Sequence, residues 1–171
     1  QSEITDAGYW KEEGQFSSAN TGLQAMFRDR TFNLYLWGEM RTNLYGGSPF
    51  SGEASSGYEF MWNNLLSQAS PAISNYGGCY GFINQLNLMI AKAENTNIIK
   101  EAAKNNYLGS AYGMRAFIYF QLLRTYGDVI VVTDYTKGSD ISIGNMGKAA
   151  SPAAEVMAQI KKDIEASEKA Y

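Results

Sequence analysis

The chain has 171 residues, a formal net charge of −3, no histidine and one cysteine, Cys79. This length suits one domain with a single hydrophobic core. Lys and Arg are scattered rather than gathered in a basic patch, which argues against nucleic-acid binding, and no apolar run is long enough to span a bilayer. Without histidine, Ser-His-Asp and Cys-His catalysis and the usual zinc sites lack essential groups.

Apolar residues recur at helical spacing in five segments of the chain. The predicted helices are, in chain order, 14–30, 58–68, 79–94, 98 or 100 to 126, and 152–171. Residues 32–40 fit either a helix or an extended segment, and the β-branched run 129–133 fits a short strand. The Gly- and Ser-rich stretches 41–57 and 134–150 are predicted loops. Helix pairs joined by loops, with little strand, predict an all-α packing of helical hairpins.

The longest predicted helix has apolar residues nearly all round it, so we expect neighbours to bury it on several sides. Gly109 and Gly113 lie inside it. Because an interior glycine costs about 1 kcal/mol relative to alanine, they predict that another backbone approaches closely. Gly127 is expected to end this helix. Ser151, followed by Pro152, is a favoured N-cap for the last one.

Three polar side chains fall among apolar neighbours and need partners if they are buried. For Asn84 and Asn87 we expect hydrogen bonds to the backbone of a neighbouring loop. For Arg115 we expect a buried carboxylate or the carbonyl groups at a helix end. The glycine-rich run 77–81 precedes a predicted helix but lacks the ending of a P-loop, so a tight turn is favoured over a phosphate site.

Other catalytic and metal sites are only weakly indicated. Glu39, Glu53 and Glu59 could supply a carboxylate pair, but nothing in their spacing fixes one across a cleft. The loop 134–150 carries oxygen ligands at Asp134, Asp140 and Asn145 but lacks the spacing of an EF-hand, so a solvated loop is favoured over calcium. We therefore expect no active site, no metal and no cofactor in the chain.

The run 109–130 resembles the signature helix of the SusD/RagB family, with the pattern Ala-x-x-x-Arg-Ala-x-x-Tyr-Phe-x-Leu-x-x-x-Tyr-Gly-Asp. The matching positions are Ala111, Arg115, Ala116, Tyr119, Phe120, Leu122, Tyr126, Gly127 and Asp128. The family usually has Pro shortly after Gly-Asp, where this chain has Ile130. Shorter resemblances lie at 16–27, at 80–90 with Ile83 and Asn87, and at 156–167 with Ile160, Asp163 and Ala166.

The resemblance implies a scaffold of tetratricopeptide-like helical hairpins, with residues 1–171 forming a single N-terminal domain of a longer protein. Family members are outer-membrane lipoproteins of Bacteroidetes-type bacteria that lie at the cell surface. They cap a SusC-type TonB-dependent transporter and capture glycans or peptides for uptake. The resemblance thus implies a non-catalytic binding protein whose membrane contact comes only through a lipid anchor upstream of this chain.

Candidate ligand-binding residues lie in and just after the first predicted loop: Arg41, Asn43, Tyr45, Phe50 and Tyr58. Aromatic rings can stack on sugar faces, while Arg and Asn side chains can bond to hydroxyl groups. The alternative for these residues is that the rings close the loop over the core. For the chain as a whole, the alternative is a tetratricopeptide-like interaction scaffold without a ligand site of its own.

Overall fold

The computed structural model describes residues 8–39, 42, 76–137 and 147–171. Within them the chain forms four α-helices: α1 (Glu13–Trp37), α2 (Gly77–Glu94), α3 (Glu101–Tyr126) and α4 (Ala153–Ala170). Their one isolated β-bridge is antiparallel and joins Val129 to Ser151. The predicted all-α class is confirmed, and the predicted helix at 58–68 lies outside the described residues.

The helix boundaries differ from the predictions in three places. The ambiguous segment 32–40 is helical as far as Trp37. The glycine-rich run 77–81 is not a turn, because all five residues lie inside α2. The N-cap of α4 is Pro152 and not Ser151. The first backbone N–H of the helix, that of Ala153, donates to the side chain of Asp128 (2.9 Å). A residue distant in sequence therefore replaces the predicted local cap.

α3 and α4 form an antiparallel hairpin. At one end, the Ser167 hydroxyl donates to the Gly109 carbonyl (2.7 Å), and at the other Asp128 caps α4. An ideal Cβ at Gly109 would lie 2.6 Å from the Tyr171 ring. The predicted close approach at Gly109 and Gly113 is confirmed, but the approaching groups are side chains from α4 and Tyr171 rather than a backbone.

α2 runs antiparallel to α3 on another side. The Tyr112 hydroxyl donates to Glu94 Oε1 (2.6 Å) at one end of the pair, and the rings of Tyr76 and Tyr126 lie 5.3 Å apart at the other. α1 lies along both helices. Its Phe27 ring is 6.2 Å from Phe82 of α2 and 5.6 Å from Phe117 of α3.

The core lies where these four helices meet. Its largest fully buried apolar side chains are Phe16, Leu36, Phe82, Ile83, Leu86, Met89, Ile118, Tyr119, Leu122 and Val156. Cys79 is also buried, and burial raises the pKa of its thiol. The expected burial of α3 on several sides is confirmed by its packing against α1, α2 and α4, while Phe117 and Phe120 remain 41% and 42% exposed.

Gly127 ends α3 in a conformation that side chains avoid. Its φ is 76° and its ψ is −122°, while its N–H bonds to the Leu123 carbonyl (2.9 Å). A Cβ there would meet nothing within 4 Å, so the requirement for glycine is conformational and not a matter of space. This turn directs Asp128 to the start of α4.

Replacing Gly127 with alanine should lower the free energy of unfolding by about 1–3 kcal/mol, because alanine is strained at positive φ. The matched control is Gly81→Ala, at a helical position where a Cβ also meets nothing within 4 Å. The control should raise the free energy of unfolding by up to about 1 kcal/mol. Urea titration measures the free energy of unfolding of both variants. A Gly127→Ala protein as stable as the parent would contradict a conformational requirement for glycine at position 127.

Candidate functional site

The centre of the molecule is a buried polar cluster formed by Arg115 of α3, Asp163 of α4 and Asn87 of α2, all at most 4% exposed. Arg115 donates from Nε and Nη2 to the two carboxylate oxygens of Asp163, at 2.8 and 2.7 Å. Its Nη1 donates to Asn87 Oδ1 at 2.7 Å. The predictions of a buried carboxylate for Arg115 and of a structural role for Asn87 are confirmed.

The electrostatics of this cluster follow from the pairing. Burial alone would lower the pKa of Arg115. The hydrogen bonds and negative charge of Asp163 outweigh this effect, so the pKa of Arg115 is raised above its usual value. Gln159 donates a further hydrogen bond to Asp163 Oδ1 (2.8 Å). A planar guanidinium paired with both oxygens of a carboxylate is a strong and directional contact. Arg115 therefore stays charged, and the cluster fixes three helices relative to one another.

The segment 130–136, here called the strap, lies across α2 and α3 and is held by side chains. Asn87 Nδ2 donates to the carbonyl groups of Val132 and Asp134, both at 3.1 Å. Asn84 pairs with Thr136 as a neighbouring strand would, donating to its carbonyl and accepting from its N–H, both at 2.8 Å. The predicted bonding of both asparagines to a loop backbone is confirmed.

Two tyrosines complete the attachment of the strap. The Tyr80 hydroxyl donates to the Ile130 carbonyl (3.0 Å). The Tyr119 hydroxyl donates to the Val132 carbonyl (2.8 Å) and accepts from the Val132 N–H (2.7 Å). Burial raises the pKa of Tyr80 to about 12 and also raises that of Tyr119, so both remain neutral donors. The run 129–133, which fits a short strand, does not form one: Val129 alone makes a bridge, to Ser151, and side chains supply most of the run's other hydrogen bonds.

The predicted ligand-binding residues Arg41, Asn43, Tyr45, Phe50 and Tyr58 all lie outside the described residues. The same holds for the carboxylates Glu53 and Glu59 and for Asp140 and Asn145 of the predicted loop. Glu39 and Asp134 are described and exposed. Within the described ranges, no three His, Cys, Asp or Glu residues are grouped closely enough to hold a metal ion.

An open cleft of about 450 Å³ lies between α1 and α2, next to the start of α1. It is lined by Tyr9, Trp10, Ala19, Gly22, Leu23, Met26, Gln85, Leu88, Met89 and Tyr135. Its lining is mainly aromatic and aliphatic, with the side-chain amide of Gln85 among it. We call it the α1–α2 cleft.

Trp10 gives this cleft an unusual feature, because it is the one described non-glycine residue with a positive φ, 69°. Its ring meets the rings of Tyr9 and Phe16 edge to face, with centroids 5.1 and 4.9 Å away. Bulky residues rarely adopt this conformation, and strained backbone is concentrated at functional sites. Trp10 is not among the residues predicted from the sequence to contact a ligand. The adjacent pair Tyr9-Trp10, just before a predicted helix, was the available signal.

The model of a protein family described as "Starch-binding associating with outer membrane" matches residues 30–170. The chain belongs to the SusD-like family. The family assignment inferred from the signature helix is therefore confirmed. The family description supports an association with the outer membrane, and none of the described helices is long and apolar enough to cross a membrane.

Other SusD-like proteins resemble the chain over almost its whole length. It is 30% identical to a SusD-like protein of Formosa agariphila, covering 99% of this chain and 32% of that protein. The solved structure of NanU from B. fragilis is 52% identical with a TM-score of 0.84, over 99% of this chain and 33% of NanU. A SusD superfamily protein from Bacteroides vulgatus is 50% identical with a TM-score of 0.82, over 95% and 32% of the two chains. The chain thus spans about a third of these relatives.

In this SusD-like chain, the residues of the signature helix have structural tasks that the geometry explains. Arg115 forms the buried ion pair, Tyr119 holds the strap, and Gly127 and Asp128 connect α3 to α4. These contacts hold the helices and the strap of the scaffold together.

Replacing Asp163 with asparagine should lower the free energy of unfolding by about 3–5 kcal/mol, because it leaves a buried guanidinium without its carboxylate. Removing both charges together, as Arg115→Met with Asp163→Leu, should recover most of that loss. Urea titration of both variants measures the difference.

The matched control for this experiment is Asp29→Asn. Asp29 lies 3.8 Å from Arg28, and their side chains are 65% and 80% exposed, so its loss should leave stability unchanged. If Asp163→Asn proved as harmless as Asp29→Asn, the cluster would not be a structural centre.

Proposed function

We propose that the protein carrying this chain binds glycans or other nutrient oligomers at the cell surface without catalysis. In this proposal it docks on a SusC-type TonB-dependent transporter for uptake, and a lipid anchor upstream of this chain attaches it to the outer membrane. Residues 1–171 would form a single domain of the longer protein. The observation that carries the proposal is the family match over residues 30–170, with its description of starch binding at the outer membrane.

The geometry of the described residues supports a binding protein in two ways. The buried cluster and the strap hold α2, α3 and α4 in one arrangement, which is the rigid support that surface loops need to present ligand contacts. The polar groups of the cluster are all engaged with one another or with the backbone. Arg115 and Asp163 are thus committed to structure, and ligand binding is assigned to the surface.

Two surfaces compete for the ligand contact. The first is the set of loop residues named from the sequence, Arg41, Asn43, Tyr45, Phe50 and Tyr58. The second is the α1–α2 cleft, with Trp10 on its wall. We propose the residues of the predicted loop as the main contact, because exposed loops carry ligand contacts more often than packed helices do.

The proposal predicts that the full-length protein binds a starch-type glycan. Tyr45→Ala with Phe50→Ala should weaken binding at least roughly tenfold, since each stacked ring contributes about 1 kcal/mol. Ile98→Ala is the matched control, at an exposed apolar residue in the turn between α2 and α3. Isothermal titration measures affinity, and co-purification from outer membranes measures association with the transporter.

A second pair of variants tests the α1–α2 cleft without removing packed side chains. Gly22 lines the cleft and Gly14 does not, and a Cβ at either position meets nothing within 4 Å. Gly22→Leu should narrow the cleft, whereas Gly14→Leu should leave it open. If Gly22→Leu alone weakens binding, the ligand contact is the cleft and the loop assignment is wrong.

The alternative function is a tetratricopeptide-like adaptor without its own ligand site. Co-purification with an outer-membrane barrel in the absence of glycan or peptide binding would favour it over the proposal. Turnover of an oligosaccharide by the purified protein would contradict the non-catalytic part of the proposal.

A further inference from the structure

A second pocket, of about 260 Å³, opens where the start of α2, the end of α3 and the bridge between Val129 and Ser151 come together. It is separate from the α1–α2 cleft, since no described residue lines both. Its lining is Tyr76, Tyr80, Leu122, Tyr126, Asp128, Val129, Ile130 and Ala150. We call it the tyrosine pocket.

The ring of Tyr76 is central to the aromatic wall of this pocket. Its centroid lies 6.2 Å from that of Tyr80 and 5.3 Å from that of Tyr126, with interplanar angles of 74° and 57°. At these angles Tyr76 is not stacked flat on either neighbour. The three rings therefore adjoin without covering one another, so that each can offer surface to a ligand.

Two of these tyrosines are held in place by the rest of the protein. The Tyr80 hydroxyl donates to the Ile130 carbonyl (3.0 Å), and the Tyr126 ring meets that of Trp37 at the end of α1, with centroids 5.5 Å apart. Burial raises the pKa of both Tyr80 and Tyr126 to about 12, so both rings are neutral phenols. Walls that are already ordered lose little side-chain entropy when a ligand binds.

Two polar groups of the pocket keep hydrogen-bonding capacity. Asp128 is exposed and accepts the Ala153 N–H with Oδ1 (2.9 Å), while no described residue donates to its Oδ2. Tyr76 is 48% exposed, and no described residue bonds to its hydroxyl. The described lining includes no Lys or Arg. The pocket can thus bind hydroxyl groups but disfavours an anion.

These features suit one ring of a neutral sugar. A pyranose ring has a face of C–H groups that packs on an aromatic ring, and a rim of hydroxyl groups that carboxylates and phenols bind. The pocket is smaller than the roughly 300–1,000 Å³ typical of sites for drug-sized ligands, so it has room for one sugar unit. The family description names starch binding, and starch is a polymer of glucose.

We propose that the tyrosine pocket binds one glucose-type unit of a neutral glycan, which packs against Tyr76 while one of its hydroxyl groups donates to Asp128 Oδ2. This inference rests on the proposed glycan binding and adds a contact separate from the loop residues Tyr45 and Phe50. Asp128 then has two tasks, because one oxygen caps α4 and the other holds the sugar.

Filling the pocket in the full-length protein tests the proposal. Ala149 and Ala150 are adjacent and both exposed, but only Ala150 lines the pocket. Ala150→Leu should weaken the binding of maltoheptaose at least roughly fivefold, because it takes the space of the sugar, and Ala149→Leu should leave the affinity unchanged. Tyr76→Ala should weaken binding by a similar factor, through loss of the stacked ring. Isothermal titration measures all of these affinities.

The outcomes separate this inference from the proposed function. A full-length protein that binds no glycan would overturn both. If Tyr45→Ala with Phe50→Ala weakens binding while Ala150→Leu and Tyr76→Ala leave it unchanged, the loop contact stands and the tyrosine pocket is ruled out. Equal losses in Ala149→Leu and Ala150→Leu would also overturn the inference.

Hydroxyl-radical footprinting of the unmodified protein avoids any folding defect of the variants. Maltoheptaose should slow the oxidation of Tyr76 at least roughly twofold, because a bound sugar shields the ring from solvent. Unchanged oxidation of Tyr76 at saturating sugar would overturn the inference. Protection of Tyr76 by choline but not by sugar would assign the pocket to organic cations, which bind aromatic rings by their charge, and would overturn it as well.

Discussion

The architecture depends on one constraint, the burial of a guanidinium group at the junction of three helices. Arg115 is 4% exposed, and an unpaired charge at that depth would cost several kcal/mol. Asp163 and Asn87 satisfy it from the two neighbouring helices. Because hydrogen bonds are directional, those of Arg115 restrict how α2, α3 and α4 can be arranged. Apolar packing alone would define this arrangement less closely.

The strap and the turn at Gly127 extend this constraint to the surface. Asn87 contacts Arg115 through its oxygen and the strap through its nitrogen, so one amide connects the ion pair to the strap. Gly127 then brings Asp128 to the start of α4, whose Asp163 closes the ion pair. In this SusD-like chain, the signature helix is therefore a set of connections among elements, which is why it indicates the family without indicating the ligand.

Sequence reasoning succeeded where local pattern and burial agree. Apolar periodicity located α3 and α4, and a charged residue among apolar neighbours correctly required a buried partner for Arg115. It failed where the decisive contact is distant in sequence: the α4 cap comes from Asp128 rather than Ser151. The exposure of Phe120 was also missed, because periodicity shows that a face is apolar but not what covers it. The φ of Trp10 has no local sequence signature, and the predicted loop residues lie outside the described part.

The most direct test of the buried cluster as the organising contact is hydrogen exchange in the strap after removal of the Asp163 charge. Asp163 has no hydrogen bond to the strap among the described residues. Its partner Arg115 reaches the strap through Asn87 and through a longer bond from Nη1 to the Thr133 carbonyl (3.5 Å). Peptides containing the Val132 and Thr136 amides should exchange faster in folded Asp163→Asn protein than in the parent or in Asp29→Asn. Unchanged exchange in the strap of folded Asp163→Asn protein would contradict the account.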